Sequence, residues 1–346
     1  MLHIIGLPHT LVNQDFNICA YTQKLRKFQL MFPNENYYFN EGSDGEYVQI
    51  YSKEDMERLF DFDWWKSGEI YKVQYDKDLP YWREFNHKVI VELSKRIKPG
   101  DLILNISGSV QKEISDAFLT NITCEFGVGY EGVFSNFKVF ESYAWMHAIY
   151  GHLYGAARAD GKFFDAVIPN YFDISEFRYQ EQKEDYVLFM SRPIDRKGIQ
   201  IVKDMGERGI KIKTAGKEKL EGKNIEWVGY ADSQKRAELM GKAKALLCPT
   251  LYLEPFGGVV VEAALCGTPA ITTDWGAFPE TVEQGKTGFR CHMLGEFIAA
   301  SEKVKELDPN YIRTRAKDLY SLEAVKPQYE KYFERLVTLY GKGWYS

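Results

Sequence analysis

The chain reads as an α/β protein built from two doubly wound domains in tandem, and three observations predict this. Short apolar runs that suit buried parallel strands alternate with segments of helical periodicity. The alternation halts at the polar stretch 173–185 and then starts again. A length of 346 residues gives each half enough chain for a core of its own. Alternating strands and helices imply a parallel sheet covered on both faces. The expected domains are residues 1–168 and 169–324. Ligands of such sheets bind outside the carboxyl ends of the strands, and two such domains facing each other leave a cleft for an active site.

Taken in order, Leu2 to Leu7 is a short strand run ended by Pro8. A helical stretch covers 17–31, and 37–39 and 47–51 look like strands. Residues 55–82 read as irregular and aromatic, with Trp64, Trp65 and Trp82. Val89, Ile90, Leu93 and Ile97 share one face of a helix over 85–97, which Pro99-Gly100 breaks. A strand over 101–107, a helix over 110–120, an extended run over 121–126, a helix over 137–154 and a strand over 163–168 complete the first half. In the second half the strands fall at 186–190, 210–215, 225–228, 245–248 and 270–273. Helices fall at 198–207, 233–242 and 258–266, with Asp232 or Ser233 as a cap, and fill most of 293–340.

Composition narrows the function. The 45% hydrophobic and 27% charged content is that of a globular protein. The 23 Tyr and 22 Phe could pack or stack on sugars and bases, and composition does not choose. A net charge of −5 offers no general attraction to nucleic acid or anionic membrane. The five cysteines form no CxxC pair and read as reduced, which with the absence of a leader pattern or bilayer-length apolar run predicts a cytoplasmic protein without an integral membrane segment. No GxxxxGK[ST] run is present, so a P-loop nucleotidase is excluded. Asp61-Phe62-Asp63 and Asp76-Lys77-Asp78 resemble short acidic metal motifs but lie away from any nucleotide-binding strand end, so no catalytic metal and no permanent cofactor are expected.

The most informative segment runs from Cys248 to Asp274: strand, loop, a helix opening on Gly257-Gly258, a Gly267-Thr268-Pro269 turn, strand. Two adjacent glycines let a ligand approach the backbone, and the helix start offers free N–H groups and a positive dipole end that suit phosphate. Glu262 lies roughly 6–8 Å further along the helix axis, about the reach from a diphosphate to a ribose. Glu254 stands on the other side of the phosphate position, where a carboxylate accepts sugar hydroxyls or steadies positive charge. Taken alone, Glu254 reads more readily as a helix cap and Glu262 as a solvated helix residue. Arg192 and Lys197, at a strand end and its following loop, are placed to neutralise a leaving diphosphate, with Arg196 a competing candidate at this spacing.

The Glu254-x7-Glu262 spacing with Pro255, Phe256, Gly257 and Gly258 resembles the motif of retaining glycosyltransferases of family 4, in the glycogen-synthase-like superfamily. The resemblance extends over most of the C-terminal half: Ile168-Pro169-Asn170 with Phe177, Ser191-Arg192-Pro193 through Gly198, Val228-Gly229, Leu247 to Thr250, and Asp274 to Glu280 with Gly285, Gly288 and Phe289. It implies a GT-B fold, two Rossmann-like doubly wound domains facing a central cleft, with the last helix, about 325–346, packing back on the first. It implies a hexose, with glucose a guess, moved from a nucleotide diphosphate sugar, UDP-linked above GDP- and ADP-linked, to a hydroxyl with retained configuration. Arg192 and Lys197 would hold the diphosphate, backbone near Val228 the base, and Phe256, Gly257, Gly258 and Glu262 the rest of the donor.

The N-terminal half resembles that family in architecture alone. Where members often carry a Gly-Gly loop, this chain has Pro8-His9-Thr10 through Asn13; His9, Thr10 and Asn13 are candidate acceptor or phosphate contacts, with a solvated loop residue the alternative for His9. Where many members place a histidine at a strand end, Glu125 stands here before the glycine-rich run 127–132, either as a base on the acceptor hydroxyl or as a buried hydrogen-bonded carboxylate. The acceptor class stays open among a sugar, a lipid-linked sugar, a protein, a metabolite and a modified nucleic-acid base. Competing readings are another GT-B reaction such as epimerisation or phosphorolysis, and a non-catalytic nucleotide-sugar-binding protein.

Overall fold

The computed structural model describes residues 1–16, 19–60, 72–155 and 160–343, and the Asp61-Phe62-Asp63, Trp64 and Trp65 candidates lie outside them. The chain divides into two compact units, one of Met1–Glu141, Ile149–Ile168 and Lys326–Ser346, the other of Ser142–Ala148 and Pro169–Val325.

The first unit is built on seven strands: β1 (Leu2–Ile5), β2 (Asn36–Phe39), β3 (Val48–Gln49), β4 (Leu102–Asn105), β5 (Ile122–Val128), β6 (Phe137–Phe140) and β7 (Ala166–Val167). They pair in parallel in the order β3-β2-β1-β4-β5-β6-β7, so the winding reverses between β1 and β4. One face is sealed by Ile5, Tyr38 and Ile103 against Phe85, Val89 and Leu93 of the helix Pro80–Ser94. That helix starts five residues earlier than its periodicity suggested, because Pro80 is pre-set for a first helical turn. From Lys326 onward the last helix, Leu322–Lys342, belongs to this unit, with the Tyr329 ring 5.4 Å from that of Phe28.

Two sequence expectations change here. Residues 137–154 are not one helix: Phe137–Phe140 is β6, buried between β5 and β7, and a new helix, Tyr143–Tyr154, starts after Ser142, whose hydroxyl accepts the Trp145 N–H at 3.0 Å. Overlapping the start of the stretch 55–82 read as irregular, Lys53–Leu59 is a helix, started by a reciprocal Ser52–Asp55 capping box.

The second unit has six parallel strands: β8 (Glu184–Phe189), β9 (Ile212–Thr214), β10 (Ile225–Trp227), β11 (Ala243–Cys248), β12 (Ala270–Thr273) and β13 (Gly288–Cys291). Their order is β10-β9-β8-β11-β12-β13, so this winding reverses between β8 and β11. Val187, Phe189, Leu247 and Ile271 face one helical layer, and Leu188, Leu246 and Cys248 face the other. β13 escaped the sequence reading because Gly288 opens it: a Cβ there would stand 2.1 Å from the Ala270 carbonyl, so only glycine lets this edge strand close on β12. Among the described residues no helix is long and apolar enough to cross a membrane.

Candidate functional site

In the second unit, the loops that leave β8 and β11 meet where the winding reverses. Gly198 makes this possible. It sits at φ +73°, and a Cβ there would lie 2.1 Å from the Pro249 carbonyl oxygen. The backbone N–H of Leu251 donates to the Arg196 carbonyl at 2.9 Å, which fixes the two loops side by side. Lys197 thereby faces the β11 loop. Its ammonium donates to Glu254 Oε2 at 3.1 Å and to the Tyr252 hydroxyl, and the Arg196 guanidinium lies 4.7 Å from the centre of the same Tyr252 ring. Burial works against the Lys197 charge, but Glu254, with Cys248 and Tyr252, outweighs it, so its pKa stands above the ordinary lysine value. Arg192 is exposed, and its guanidinium has no ion pair among the described residues.

Glu254 is locked from below by its backbone. Its carbonyl accepts the Ala277 N–H at 2.9 Å. Gly276, at φ +63°, packs so tightly that a Cβ would come within 2.4 Å of the Glu254 nitrogen. Gly257, at φ +78°, then turns the chain into the helix Gly258–Leu265, which has no side-chain cap. The Gly258 and Val259 N–H groups have no hydrogen-bond partner among the described residues, so the helix start offers two donors and its dipole to an anion. The carbonyl of Pro255, in the same loop, accepts from Ser142 Oγ at 2.6 Å. Glu280 accepts the Tyr143 and Ala144 N–H groups at 2.9 and 2.8 Å, so the segment Ser142–Ala148 is fastened beside the glycine pair.

Glu262, one helical turn on, pairs with Arg236 in the first turns of the helix Ser233–Lys242. Val228 follows β10 directly, its N–H donating to the Thr214 carbonyl at 2.9 Å and its carbonyl accepting from Lys235 at 2.6 Å. Phe256, in the same loop as Glu254, turns its ring inward. Its ring is buried in an apolar cluster with Phe172 and Tyr320. Arg236, Tyr252 and Gly276 were not singled out from the sequence. A cation in the first turn of the helix that follows the strand run 225–228 is the readable signal for Arg236.

The candidates of the first unit have another fate. His9 is neither solvated nor open: it is 1% exposed, its ring 5.6 Å from Tyr75 and 6.0 Å from Trp82, and burial lowers its pKa to about 3. Thr10 is buried, and its carbonyl accepts from the Asn40 amide, which also donates to Leu7 and Pro8. Asn13 is spent locally, donating to the Gly42 carbonyl at 3.0 Å and accepting from Phe16 at 2.8 Å. Glu125, on β5, is fully buried; it accepts the N–H groups of Phe134 and Ser135, both at 2.8 Å, and the Tyr130 hydroxyl at 3.3 Å. Burial raises its pKa to about 7 against those hydrogen bonds. Its geometry is that of an anchor for the loop 129–136.

Residues 173–308 match the family model of glycosyl transferases group 1, a stretch short of half the chain. Glycogen synthase of Mycobacterium tuberculosis is 42% identical over 65 residues, 19% of this chain and 16% of that protein, so the chain spans about a sixth of that curated relative's length. Among solved structures, AviGT4, a glycosyltransferase involved in avilamycin A biosynthesis, superposes with a TM-score of 0.71 at 16% identity, covering 97% of this chain and 98% of its own. HepE of Anabaena, solved in complex with UDP-glucose, gives 0.66 at 14% identity over 96% and 99%. The chain therefore has the GT-B fold, and its residues 173–308 match the family of glycosyl transferases group 1.

Proposed function

We propose that the chain is a retaining glycosyltransferase that moves a hexose from a UDP-linked sugar to a hydroxyl acceptor. The observation that carries this reading is the uncapped helix start at Gly257-Gly258, with Lys197 and Glu254 on one side and Glu262 on the other. The diphosphate docks on the Gly258 and Val259 N–H groups. Lys197 and the exposed Arg192 reach its oxygens, and Glu262 accepts ribose hydroxyls. The base lies against the β10 end near Val228, and Glu254 takes hydroxyls of the hexose. When the bond from the anomeric carbon to the phosphate oxygen breaks, its electron pair leaves with the diphosphate. Cations already fixed near that oxygen stabilise the developing charge without reorganising. The acceptor oxygen forms the new bond to the same carbon as its O–H bond breaks, and the proton passes to the departing phosphate oxygen. HepE, crystallised with UDP-glucose, supports UDP as the nucleotide.

The test is transfer from UDP-glucose to a panel of saccharide and small-molecule alcohols, with proton NMR of the product anomer. Net retention with loss of activity in Lys197→Ala supports the reading. An inverted anomer, or release of the isomerised nucleotide sugar in place of a glycoside, contradicts it.

A further inference from the structure

A carboxylate can grip a ribose diol only if its oxygens are aimed, and a glutamate in mid-helix has three torsions with which to miss. In this chain something aims it. Arg236 N–H donates to Glu262 Oε2, bridging the helices Ser233–Lys242 and Gly258–Leu265, while Oε1 has no hydrogen bond among the described residues. The pair is set into the surface: the Glu262 side chain is 19% exposed and that of Arg236 30%. Arg236 is itself fixed from behind. Asp232 caps its helix by accepting the Lys235 N–H at 2.8 Å, and Lys235 reaches back to the Val228 carbonyl at 2.6 Å, so the start of this helix is bound to the end of β10.

We propose that Arg236 is a positioning residue for nucleoside recognition: it holds one oxygen of Glu262 so that the other is presented to the ribose, and thereby sets discrimination between ribo- and 2′-deoxyribonucleotides. This rests on the reading of Glu262 as the ribose acceptor. A single charge-assisted N–H suits the task because it holds one oxygen in place and leaves the other free, which a lysine ammonium can also do. A plain bridge between two helices would contribute to folding, but it would leave the choice between ribose and deoxyribose untouched. The proposal and the bland alternative therefore part on one observable.

The experiment is calorimetric titration of UDP, GDP and ADP, each against its 2′-deoxy form, into the wild type, Arg236→Ala, Arg236→Lys and Glu262→Ala. Thermal melts confirm that each variant is folded. The expected wild-type preference for the ribonucleotide is roughly tenfold or more, the scale of a hydrogen bond to a charged group. It shrinks to within about threefold in Arg236→Ala and Glu262→Ala and is largely kept in Arg236→Lys. A preference undiminished in Arg236→Ala but lost in Glu262→Ala overturns the role of Arg236 and leaves the donor reading standing. A wild type that binds the nucleotides without preference, or binds none of them, overturns both, because Glu262 then has no ribose to hold.

Discussion

The two sheets solve the same local problem in opposite ways. In each, the winding reverses between two strands, and the loops leaving those strands must be joined. At the β8/β11 reversal backbone meets backbone, with Lys197 crossing to Tyr252 and Glu254 beside the contact: Gly198 lets the Pro249 carbonyl approach, and the Leu251 N–H reaches the Arg196 carbonyl. At the β1/β4 reversal they are joined by side chains. Gln111 donates to the Gly6 carbonyl at 2.7 Å while accepting the N–H groups of Ile106 and Ser107, and Asn40 ties down three carbonyls of the loop 7–10. Where backbone closes the gap, the polar side chains beside it need not be buried, and the Lys197–Glu254 and Arg236–Glu262 pairs remain partly exposed. Side-chain joining consumes them, and Gln111 and Asn40 are fully buried in doing so. Polar groups count as candidate machinery only where the fold does not already need them.

The comparison breaks most visibly at Lys197. Lys197→Ala should lower kcat by roughly 10²–10³-fold, the cost of one donor aimed at developing charge, with little change in thermal stability; a kcat within tenfold of wild type would remove this cation from the chemistry. Next comes Gly276→Ala. Its Cβ has no space beside Glu254 and its φ is left-handed, so a loss of roughly 1–2 kcal/mol is expected, together with about a tenfold fall in kcat/KM as Glu254 is displaced. A stable, fully active variant would show that Glu254 does not depend on this clamp.

On the other side, Glu125→Gln should change kcat by less than about threefold, whereas loss of a general base costs roughly 10²–10⁴-fold. The same variant has a pH signature. The Glu125 pKa is raised to about 7 in the fold, above the ordinary carboxylate value. The folded state thus holds a proton that the unfolded chain has lost, and the stability from this group is full at low pH and lost as pH rises through about 7. Denaturant titrations from pH 5 to 8 should show a shallower alkaline decline for Glu125→Gln than for the wild type. The smallest effect is expected at His9, whose burial lowers its pKa to about 3. There the unfolded chain takes up the proton first, so stability is present above the ordinary histidine range and lost as pH falls below it. His9→Gln should leave kcat unchanged and flatten the acid limb. A fall in kcat beyond threefold would return His9 to the acceptor site.

Much of this was legible in the sequence because backbone rules write themselves in residue type. Gly257, Gly258 and Gly267 mark where the chain must turn or admit a neighbour, and the strand–helix alternation gave the two-sheet class. What stayed hidden depends on partners distant in sequence. Nothing near Phe137 says that β5 and β7 will flank it and make it a strand; only the pairing does. Phe256 sits inside a ligand motif, yet its ring is claimed by Phe172 and Tyr320. Arg236 stands 26 residues from the carboxylate it holds. The Glu125 anchor needs the N–H groups of a loop that no local pattern announces.

The most direct test of the donor site is a hydrolysis and binding panel of UDP-, GDP- and ADP-sugars without acceptor, run on the wild type, Arg192→Ala and Glu262→Ala. The account predicts that one nucleotide sugar binds and slowly releases its nucleoside diphosphate, and that both variants lose this. Failure of every nucleotide sugar to bind the wild type would contradict it.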